Sequence, residues 1–262
     1  MQEIIDINDN RISYFKNLRY TPLSHTKEKL FVTEGEIVTI KLLKSDFEII
    51  SVFVIEEFYK NYHKLISKKK IPDNKLYFAD KSLINQIVGF KHHSGIMALA
   101  SQPLAPELSE LKSPVIVMNG IINSENVGSI IRNCAAFGVY SIIVDKQTSS
   151  PYLRRAVRVS MGAILDINVY FSDFLVEDLK KLKQNSYKII CAELQTISKP
   201  ITNFNFPEKF ALVFGNEDKG IDGEVLDISD DVIYIPITDR VQSINVASSS
   251  AVILSKIFKL NK

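Results

Sequence analysis

The fold prediction depends on one segment, IPITDRVQSINVASSSAVIL, which runs from Ile235 to Leu254. It continues an apolar strand pattern, passes through a polar elbow and becomes a helix whose first residues carry Ser243 and Asn245. After the elbow, apolar residues recur at helical spacing and small residues occupy the other faces. A helix start offers unpaired backbone N–H groups, so the elbow can hold a ligand or a reacting group. A plain terminal helix with a serine cap is the alternative that this segment leaves open.

Length and composition indicate an ordinary globular protein of one large or two smaller domains. The chain has 262 residues and a formal net charge of +2, which neither requires nor excludes a nucleic-acid partner. No apolar run approaches the roughly 18 residues of a membrane span, so we expect a cytoplasmic protein without a membrane partner. Cys134 and Cys191 lie in apolar patterns and are predicted to be buried, reduced thiols. Four histidines without a C-x-x-C motif predict no metal site.

The N-terminal part, residues 1–102, alternates helical and apolar strand patterns, which predicts a small α/β domain. The first hundred residues hold fifteen Lys and Arg against twelve Asp and Glu, so the basic excess of the chain lies there. For each basic cluster a solvated surface is the alternative to RNA binding. The clusters that can contact RNA phosphates are Lys27 and Lys29, then Lys64, Lys68, Lys69 and Lys70, and further along the chain Lys91, His92 and His93.

Beyond this part, the pattern changes to a repeat of strand and helix. Residues 103–114 carry three prolines without hydrophobic periodicity, which predicts a linker. In residues 115–262 apolar runs alternate with helical stretches. The runs predicted as strands are Val115 to Met118, Ser141 to Val144, Ile164 to Tyr170, Lys188 to Ala192, Phe210 to Phe214 and Val232 to Ile237. Runs without polar alternation are typical of a parallel sheet covered on both faces. Ligands bind such sheets beyond the carboxyl ends of the strands, so we expect functional residues in those loops.

The first of these loops, NGIINSENVGSIIRNCAAFGV, spans Asn119 to Val139. Its pattern predicts a helix from about Asn126 to Phe137 that ends at Gly138. Asn126 can both donate and accept hydrogen bonds, and Arg132 presents a permanently charged fork suited to phosphate. A surface arginine on an amphipathic helix is the alternative.

A second loop, SPYLRRAVRVSMGA, is basic and is predicted to be helical. It places Arg154, Arg155 and Arg158 within five residues, and Arg154 and Arg158 are spaced to share one helix face. This face is a candidate contact for the RNA backbone, and a solvated face is an equally good interpretation.

A third loop, GNEDKGID, follows the apolar run FALVF. Gly215 and Gly220 allow a tight turn that brings the backbone close to a ligand, and Glu217 is a carboxylate at the end of a strand. The glycine spacing invites comparison with the phosphate loop of nucleotide triphosphatases. Ile221 and Asp222 stand where that loop requires Lys and Ser or Thr, so a nucleotide hydrolase is a weak alternative.

Taken together, NVGSIIRNCAAFGV, LVFGNEDKGI and IPITDRVQSINVASSSAVIL resemble the three motifs of the SpoU (TrmH-type) RNA ribose methyltransferases in the SPOUT superfamily. The resemblance covers Val115 to Leu260. It implies an α/β domain with a mostly parallel sheet whose C-terminal part is threaded into a trefoil knot, with S-adenosylmethionine bound in the knot. It also implies a homodimer whose active site uses residues of both subunits. The N-terminal part more weakly resembles the small ribosomal-protein-like RNA-binding domain that often precedes this catalytic domain.

The same resemblance assigns roles to individual residues. Arg132 would stabilise the reacting hydroxyl or grip phosphate, because a guanidinium scarcely deprotonates. The positions that match the catalytic residues of the family are Asn126, Arg132, Glu217, Ser243 and Asn245. The positions that match or neighbour its cofactor contacts are Leu194, Gly215, Asn216, Ile235 and Ile244.

The predicted activity is transfer of the methyl group of S-adenosylmethionine to a ribose 2′-hydroxyl in structured RNA, either 23S rRNA or tRNA. The alternative is a catalytically inactive RNA-binding protein with the same fold. The intact set of catalytic residue types argues against that alternative.

Overall fold

A computed structural model gives the structure of the protein and describes residues 1–16, 25, 27–88, 95–195 and 198–260. The chain forms two compact units. The first unit contains Met1–Leu104 and Tyr152–Leu165, and the second contains Ala105–Pro151 and Asp166–Lys262. Sequence patterns did not indicate that a segment from the middle of the later half belongs to the first unit. The division into an RNA-binding domain, a linker and a catalytic domain stays a prediction.

Strands and helices alternate through most of the chain. In chain order the strands are β1 (Gln2–Glu3), β2 (Leu30–Glu34), β3 (Ile49–Val54), β4 (Leu76–Phe78), β5 (Ile96–Ser101), β6 (Val115–Met118), β7 (Ser141–Asp145), β8 (Asn168–Ser172), β9 (Lys188–Ala192), β10 (Lys199–Pro200), β11 (Phe210–Phe214) and β12 (Asp231–Tyr234). The α-helices are α1 (Glu36–Lys44), α2 (Glu56–Lys68), α3 (Lys81–Val88), α4 (Ser124–Ala136), α5 (Arg154–Val159), α6 (Leu175–Gln184), α7 (Gly223–Asp227) and α8 (Val246–Leu260).

The first unit is built on a mixed sheet with the strand order β1-β4-β3-β5-β2. Strand β5 pairs antiparallel with β2 and β3, whereas β4 pairs parallel with β1 and β3. Phe53 and Met97 are fully buried in the core of this sheet. Helix α5, which the chain supplies from residues 152–165, belongs to this unit and contacts β2.

The second unit is built on a sheet with the order β10-β12-β9-β11-β6-β7-β8, and its strand pairs are parallel. Strands β6 and β11 are buried along their whole length, as expected where helices cover both faces of a parallel sheet. The predicted α/β architecture with a mostly parallel sheet is confirmed. Because the strands are parallel, their carboxyl ends lie along one edge.

Two strand predictions need correction. The run from Ile164 to Tyr170 is not one strand: Ala163–Asp166 forms a 3-10 helix, and β8 begins only at Asn168. Ile164 is buried, so its apolar character reflects burial in the first unit and not a place in the sheet. The run from Val232 to Ile237 is a strand only as far as Tyr234, and the chain beyond it enters the elbow.

The two cysteines are free thiols and both are buried, as predicted. Burial raises the pKa of the Cys191 thiol to about 12, and burial also raises the pKa of Cys134 strongly. Neither thiol is therefore available as a nucleophile at neutral pH. Within the described part of the chain, no helix is both long and apolar enough to cross a membrane.

Candidate active site

A cavity of about 510 Å³ lies in the second unit at the carboxyl ends of β9, β11 and β12. Its other wall is the elbow that leads into α8, from Gln242 to Val246. The predicted cofactor residues that line this cavity are Leu194, Gly215, Asn216, Ile235 and Ile244. The predicted catalytic residues that line it are Glu217, Ser243 and Asn245. Three separated segments therefore meet at one pocket, while the roles of their residues stay predictions.

Gly215 occupies a position where the backbone of two segments touches. A Cβ atom at this position would stand 2.5 Å from the carbonyl carbon of Gly220 and 2.5 Å from the amide nitrogen of Ile221. Real Cβ atoms do not approach backbone atoms so closely, so only glycine fits here. The end of β11 can therefore lie directly against the turn that follows it, with its backbone open to the cavity.

The GNEDKG segment forms the tight turn that its glycines predict. Asn216 and Gly220 exchange two backbone hydrogen bonds, of 2.9 and 3.0 Å. Asn216 Oδ1 accepts from the amides of Asp218 and Lys219, and its Nδ2 donates to the carbonyl of Gly120 at 2.6 Å. This asparagine thus fixes the shape of the turn and ties it to the loop after β6. The position of Glu217 within the turn is determined as a result.

Three of the predicted catalytic side chains are hydrogen-bonded in series. Asn126 Nδ2 donates to Glu217 Oε1 at 2.7 Å, and Asn245 Nδ2 donates to Asn126 Oδ1 at 3.0 Å. Asn126 is buried, and both ends of its amide are occupied. Its position therefore favours a role in holding Glu217 and Asn245 over direct contact with a substrate.

The elbow differs in one detail from the sequence prediction. Helix α8 begins at Val246, so Ser243 and Asn245 precede the helix and are not its first residues. Asn245 Oδ1 accepts from the amide of Ala247 at 2.8 Å, which makes Asn245 the capping side chain of α8. The same asparagine thus caps this helix and reaches Asn126.

Helix α4 begins at Ser124, two residues earlier than predicted. It also carries Asn133, a residue that the sequence analysis did not single out and that contacts α8. Asn133 Nδ2 donates to the carbonyl of Ala247 and to Ser250 Oγ, both at 2.9 Å. These bonds attach α4 to α8. Asn126 and Asn133 are seven residues apart and therefore share a helix face, a spacing that could have indicated this contact.

Arg132 takes a different position from the other catalytic candidates. It is exposed on α4 and does not line the cavity of its own chain. Among the residues that the structure describes, it makes no hydrogen bond or ion pair. Its guanidinium is thus open to another molecule.

The residues predicted to bind RNA lie in the first unit and differ in availability. Arg154 forms an ion pair with the buried Glu34 and is only 13% exposed, whereas Arg158 lies 3.8 Å from Glu34 and is 57% exposed. Lys69 donates to the carbonyl of Ser45, while Lys68 and Lys70 are exposed. Lys91, His92 and His93 lie outside the described residues. Contact with RNA stays a prediction for each of these residues.

The parallel sheet and the polar side chains gathered around one cavity at its carboxyl edge define an α/β enzyme domain. A family model described as the SpoU rRNA Methylase family matches residues 113–255, which is more than half of the chain. The chain belongs to the SpoU rRNA methylase family, which confirms the predicted family and the predicted class of enzyme, an RNA methyltransferase.

Individual relatives resemble the chain over nearly its whole length. An uncharacterized tRNA/rRNA methyltransferase of Mycobacterium tuberculosis is 26% identical, and the match covers 96% of this chain and 89% of that protein. The 23S rRNA (guanosine(2553)-2′-O)-methyltransferase RlmP of Bacillus subtilis is 23% identical, with 97% and 98% covered. The crystal structure of an AdoMet-bound rRNA methyltransferase from Sinorhizobium meliloti has the same fold, with a TM-score of 0.87, 17% identity, and 99% and 98% covered.

Proposed function

We propose that the protein methylates a ribose 2′-hydroxyl of 23S rRNA with S-adenosylmethionine as methyl donor. The observation that carries this proposal is the hydrogen-bonded series Glu217, Asn126 and Asn245, which joins three sequence motifs at one cavity. The name of the family specifies rRNA, and the name of the Bacillus subtilis relative specifies a 2′-hydroxyl of 23S rRNA. Transfer RNA is the other substrate that the sequence left open. An rRNA substrate also agrees with the cytoplasmic location predicted above.

The cavity has the size and chemistry that the cofactor needs. Its volume of about 510 Å³ lies within the range of small-molecule sites. Ile235 and Ile244 offer apolar contact for an adenine ring, and Gly215 leaves backbone groups open for hydrogen bonds. When bound, S-adenosylmethionine supplies a sulfonium methyl that passes in line to the ribose oxygen, leaving S-adenosylhomocysteine.

The side chains of the site would orient the hydroxyl and stabilise its developing charge. A ribose hydroxyl is a poor nucleophile while protonated, so its proton must pass to a nearby acceptor or to water. Ser243 and Asn245 are exposed at the cavity. Asn245, unlike the buried Asn126, can still reach a substrate with the second N–H of its Nδ2, so both side chains can fix the hydroxyl by hydrogen bonds. Arg132 stays charged, so we assign it the stabilisation of the alkoxide or of a neighbouring phosphate.

We propose a homodimer in which Arg132 of a second copy completes the cavity of the first. Two features support this arrangement. Arg132 is exposed and does not line the cavity of its own chain. Apolar side chains are also exposed on or beside helices α4 and α8, among them Ile122, Val252 and Phe258 at 66%, 43% and 37%. A contiguous apolar patch is typical of surfaces that bind another protein, and we propose that these side chains form such a patch.

The dimer can be tested by mixing inactive variants. We expect Arg132→Ala and Asn245→Ala each to abolish methyl transfer when alone. If the site is shared, unfolding and refolding the two variants together restores part of the activity, because mixed dimers contain one site with both residues intact. A mixture that stays inactive, although mass spectrometry detects mixed dimers, would contradict a shared site.

The first unit is proposed to bind the RNA, as a small ribosomal-protein-like domain. Lys68, Lys70 and Arg158 are exposed there and can contact phosphates. Arg154 forms an ion pair with Glu34, so we expect it to stabilise the fold of the unit and not to contact RNA directly.

A trefoil knot is the remaining part of the proposal. The placement of the elbow, residues 242–246, across the carboxyl ends of β9, β11 and β12 supports it. Pulling the two ends of the chain with optical tweezers tests it, because a knotted chain remains shorter than its fully extended length. An extension equal to that of 262 free residues would exclude the knot.

The activity itself is tested by transfer of tritiated methyl groups from S-adenosylmethionine to 23S rRNA and to tRNA from cells that lack this gene. We expect incorporation into 23S rRNA at one ribose, located by its resistance to alkaline cleavage. Arg132→Ala should retain cofactor binding but lose transfer. Incorporation into tRNA alone would show that the substrate is tRNA and not 23S rRNA. Cofactor binding without any transfer would support the alternative of a catalytically inactive RNA-binding protein.

A further inference from the structure

Apart from Arg132 of the proposed second copy, which we assign to the substrate, the charged residues known to line the cavity are acidic. Glu193, Glu217 and Asp218 line it, and among the lining residues that the structure describes none is Lys, Arg or His. A pocket with one sign of charge favours ligands of the opposite sign. The three carboxylates differ in how far protein groups offset their charge.

Glu217 is the most compensated of them. Its carboxylate accepts from the Asn126 side chain at 2.7 Å and faces the amides of Ile122 and Asn123 at 3.4 Å, next to the start of α4. A helix start carries a partial positive charge, which offsets a carboxylate there. Asp218 lies on the exposed side of the turn.

Glu193 is half-buried directly after β9 and has less compensation. Within the described part of the chain, its carboxylate accepts one hydrogen bond, from the Ile221 amide at 3.0 Å. Gly220 lies against it so closely that a Cβ there would stand 2.7 Å from Glu193 Oε2. Glu193 thus lines the cavity with a negative charge that, among the described residues, one neutral donor offsets.

The charge of the ligand changes during the proposed reaction. S-adenosylmethionine carries a sulfonium, an ammonium and a carboxylate, and so has one net positive charge. S-adenosylhomocysteine has lost the sulfonium charge and is neutral overall. A fixed carboxylate in a partly buried site therefore stabilises the methyl donor more than the product.

We propose that Glu193 is a specificity-determining residue that makes the cavity prefer the charged methyl donor to the neutral product. This inference rests on the proposed function. Its consequence is weaker product inhibition, because the attraction is lost when the methyl group leaves. The competing explanation is that Glu193 only holds the turn through Ile221.

Glu193→Gln separates the two explanations, because the amide oxygen can still accept from Ile221 while the charge is removed. Titration calorimetry with S-adenosylmethionine and with S-adenosylhomocysteine gives the ratio of the two dissociation constants. A partly exposed ion pair contributes at most about 1 kcal/mol, so the preference for the methyl donor should fall by up to about fivefold. Binding of the product should stay within about twofold of wild type, and raising the salt concentration should narrow the difference between variant and wild type.

Glu208→Gln is the matched control, since Glu208 is exposed in the same unit, does not line the cavity and changes the net charge equally. The ratio of its two dissociation constants, for S-adenosylmethionine and S-adenosylhomocysteine, should equal that of wild type. Equal weakening of both ligands in Glu193→Gln would overturn the inference in favour of a purely structural role. An equal fall in the ratio for Glu208→Gln would overturn it in favour of a general charge effect. Failure of the wild-type protein to bind either ligand would overturn the proposed function, and the inference with it.

Discussion

The two sheets present their functional residues in different ways. In the parallel sheet of the second unit, side chains from distant segments meet at one edge, and hydrogen bonds between Asn126, Glu217 and Asn245 fix their positions. In the first unit, exposed cations such as Lys68 and Arg158 lie on helices beside a mixed sheet. Group transfer requires positions fixed within fractions of an ångström, whereas phosphate binding requires mainly charge. Single substitutions at the site of the second unit should therefore cause large losses of activity, whereas single substitutions of exposed cations in the first unit should each weaken RNA binding slightly.

The largest effect on cofactor binding is expected for Gly215→Ala. The new Cβ would meet the backbone of Gly220 and Ile221 at 2.5 Å, so the turn must move and the cavity must change shape. We expect affinity for S-adenosylmethionine to fall by at least about 100-fold in calorimetry, equivalent to about 2.7 kcal/mol. Gly223→Ala is the control, because a Cβ there meets nothing within 4 Å. Wild-type affinity in Gly215→Ala would show that the close contact is unimportant for the site.

Asn126→Ala should lower methyl transfer by about 100-fold, because Glu217 and Asn245 lose the amide that joins them. Asn133→Ala is a matched comparison on the same face of α4, since it also removes two hydrogen bonds. Each variant should lose about 1–3 kcal/mol of stability in denaturant unfolding. Only Asn126→Ala should lose most of its turnover. An equal loss of turnover in Asn126→Ala and Asn133→Ala would mean that the hydrogen bonds of Asn126 affect turnover only by stabilising the fold.

In the first unit, Arg154→Ala should lower the free energy of unfolding by about 3 kcal/mol, because Glu34 is buried and loses its close partner. Arg158→Ala removes a longer and more exposed contact with the same carboxylate, so its cost should stay below about 1 kcal/mol. Urea unfolding of both variants measures the difference. A similar cost for both would contradict the distinction between the two arginines.

The smallest effect is expected for the double variant Lys68→Ala and Lys70→Ala. If both lysines contact phosphates, the slope of log affinity against log salt concentration should fall by about 0.7–0.9 for each. Lys180→Ala with Lys209→Ala removes two exposed lysines from the second unit and serves as control. An unchanged slope in the first pair would place RNA contacts elsewhere on the protein.

The apolar runs of the second unit predicted its central strands closely. The runs Val115–Met118, Lys188–Ala192 and Phe210–Phe214 are strands with the predicted ends, because fully buried parallel strands contain uninterrupted apolar residues. An apolar run does not distinguish a strand from another buried segment. For this reason the strand predicted to begin at Ile164 was wrong, since a 3-10 helix lies there. The pairing of Glu34 with Arg154 joins residues 120 positions apart, and no local pattern indicates such a contact.

In the candidate site too, the residues could be predicted from the sequence, whereas the contacts between distant residues could not. Motif resemblance indicated the residues at the cavity, because their types and order are specific. Their mutual contacts could not be predicted. The amide of Asn126 lies between Glu217 and Asn245 only because β6 and β11 are neighbours in the sheet and the elbow lies at the carboxyl ends of its strands. Glu193 belongs to no motif and was found only through its place beside Gly220 and Ile221.

The return of Tyr152–Leu165 to the first unit affects how the protein can be divided. A protease cut between Leu104 and Ala105 would not release two independent domains, because the C-terminal fragment would still contribute α5 to the N-terminal one. Ala156 and Val157 are fully buried, so a fragment that begins at Ala105 and is produced alone would expose them to water. We therefore expect the two fragments to fold best when made together, as a split protein.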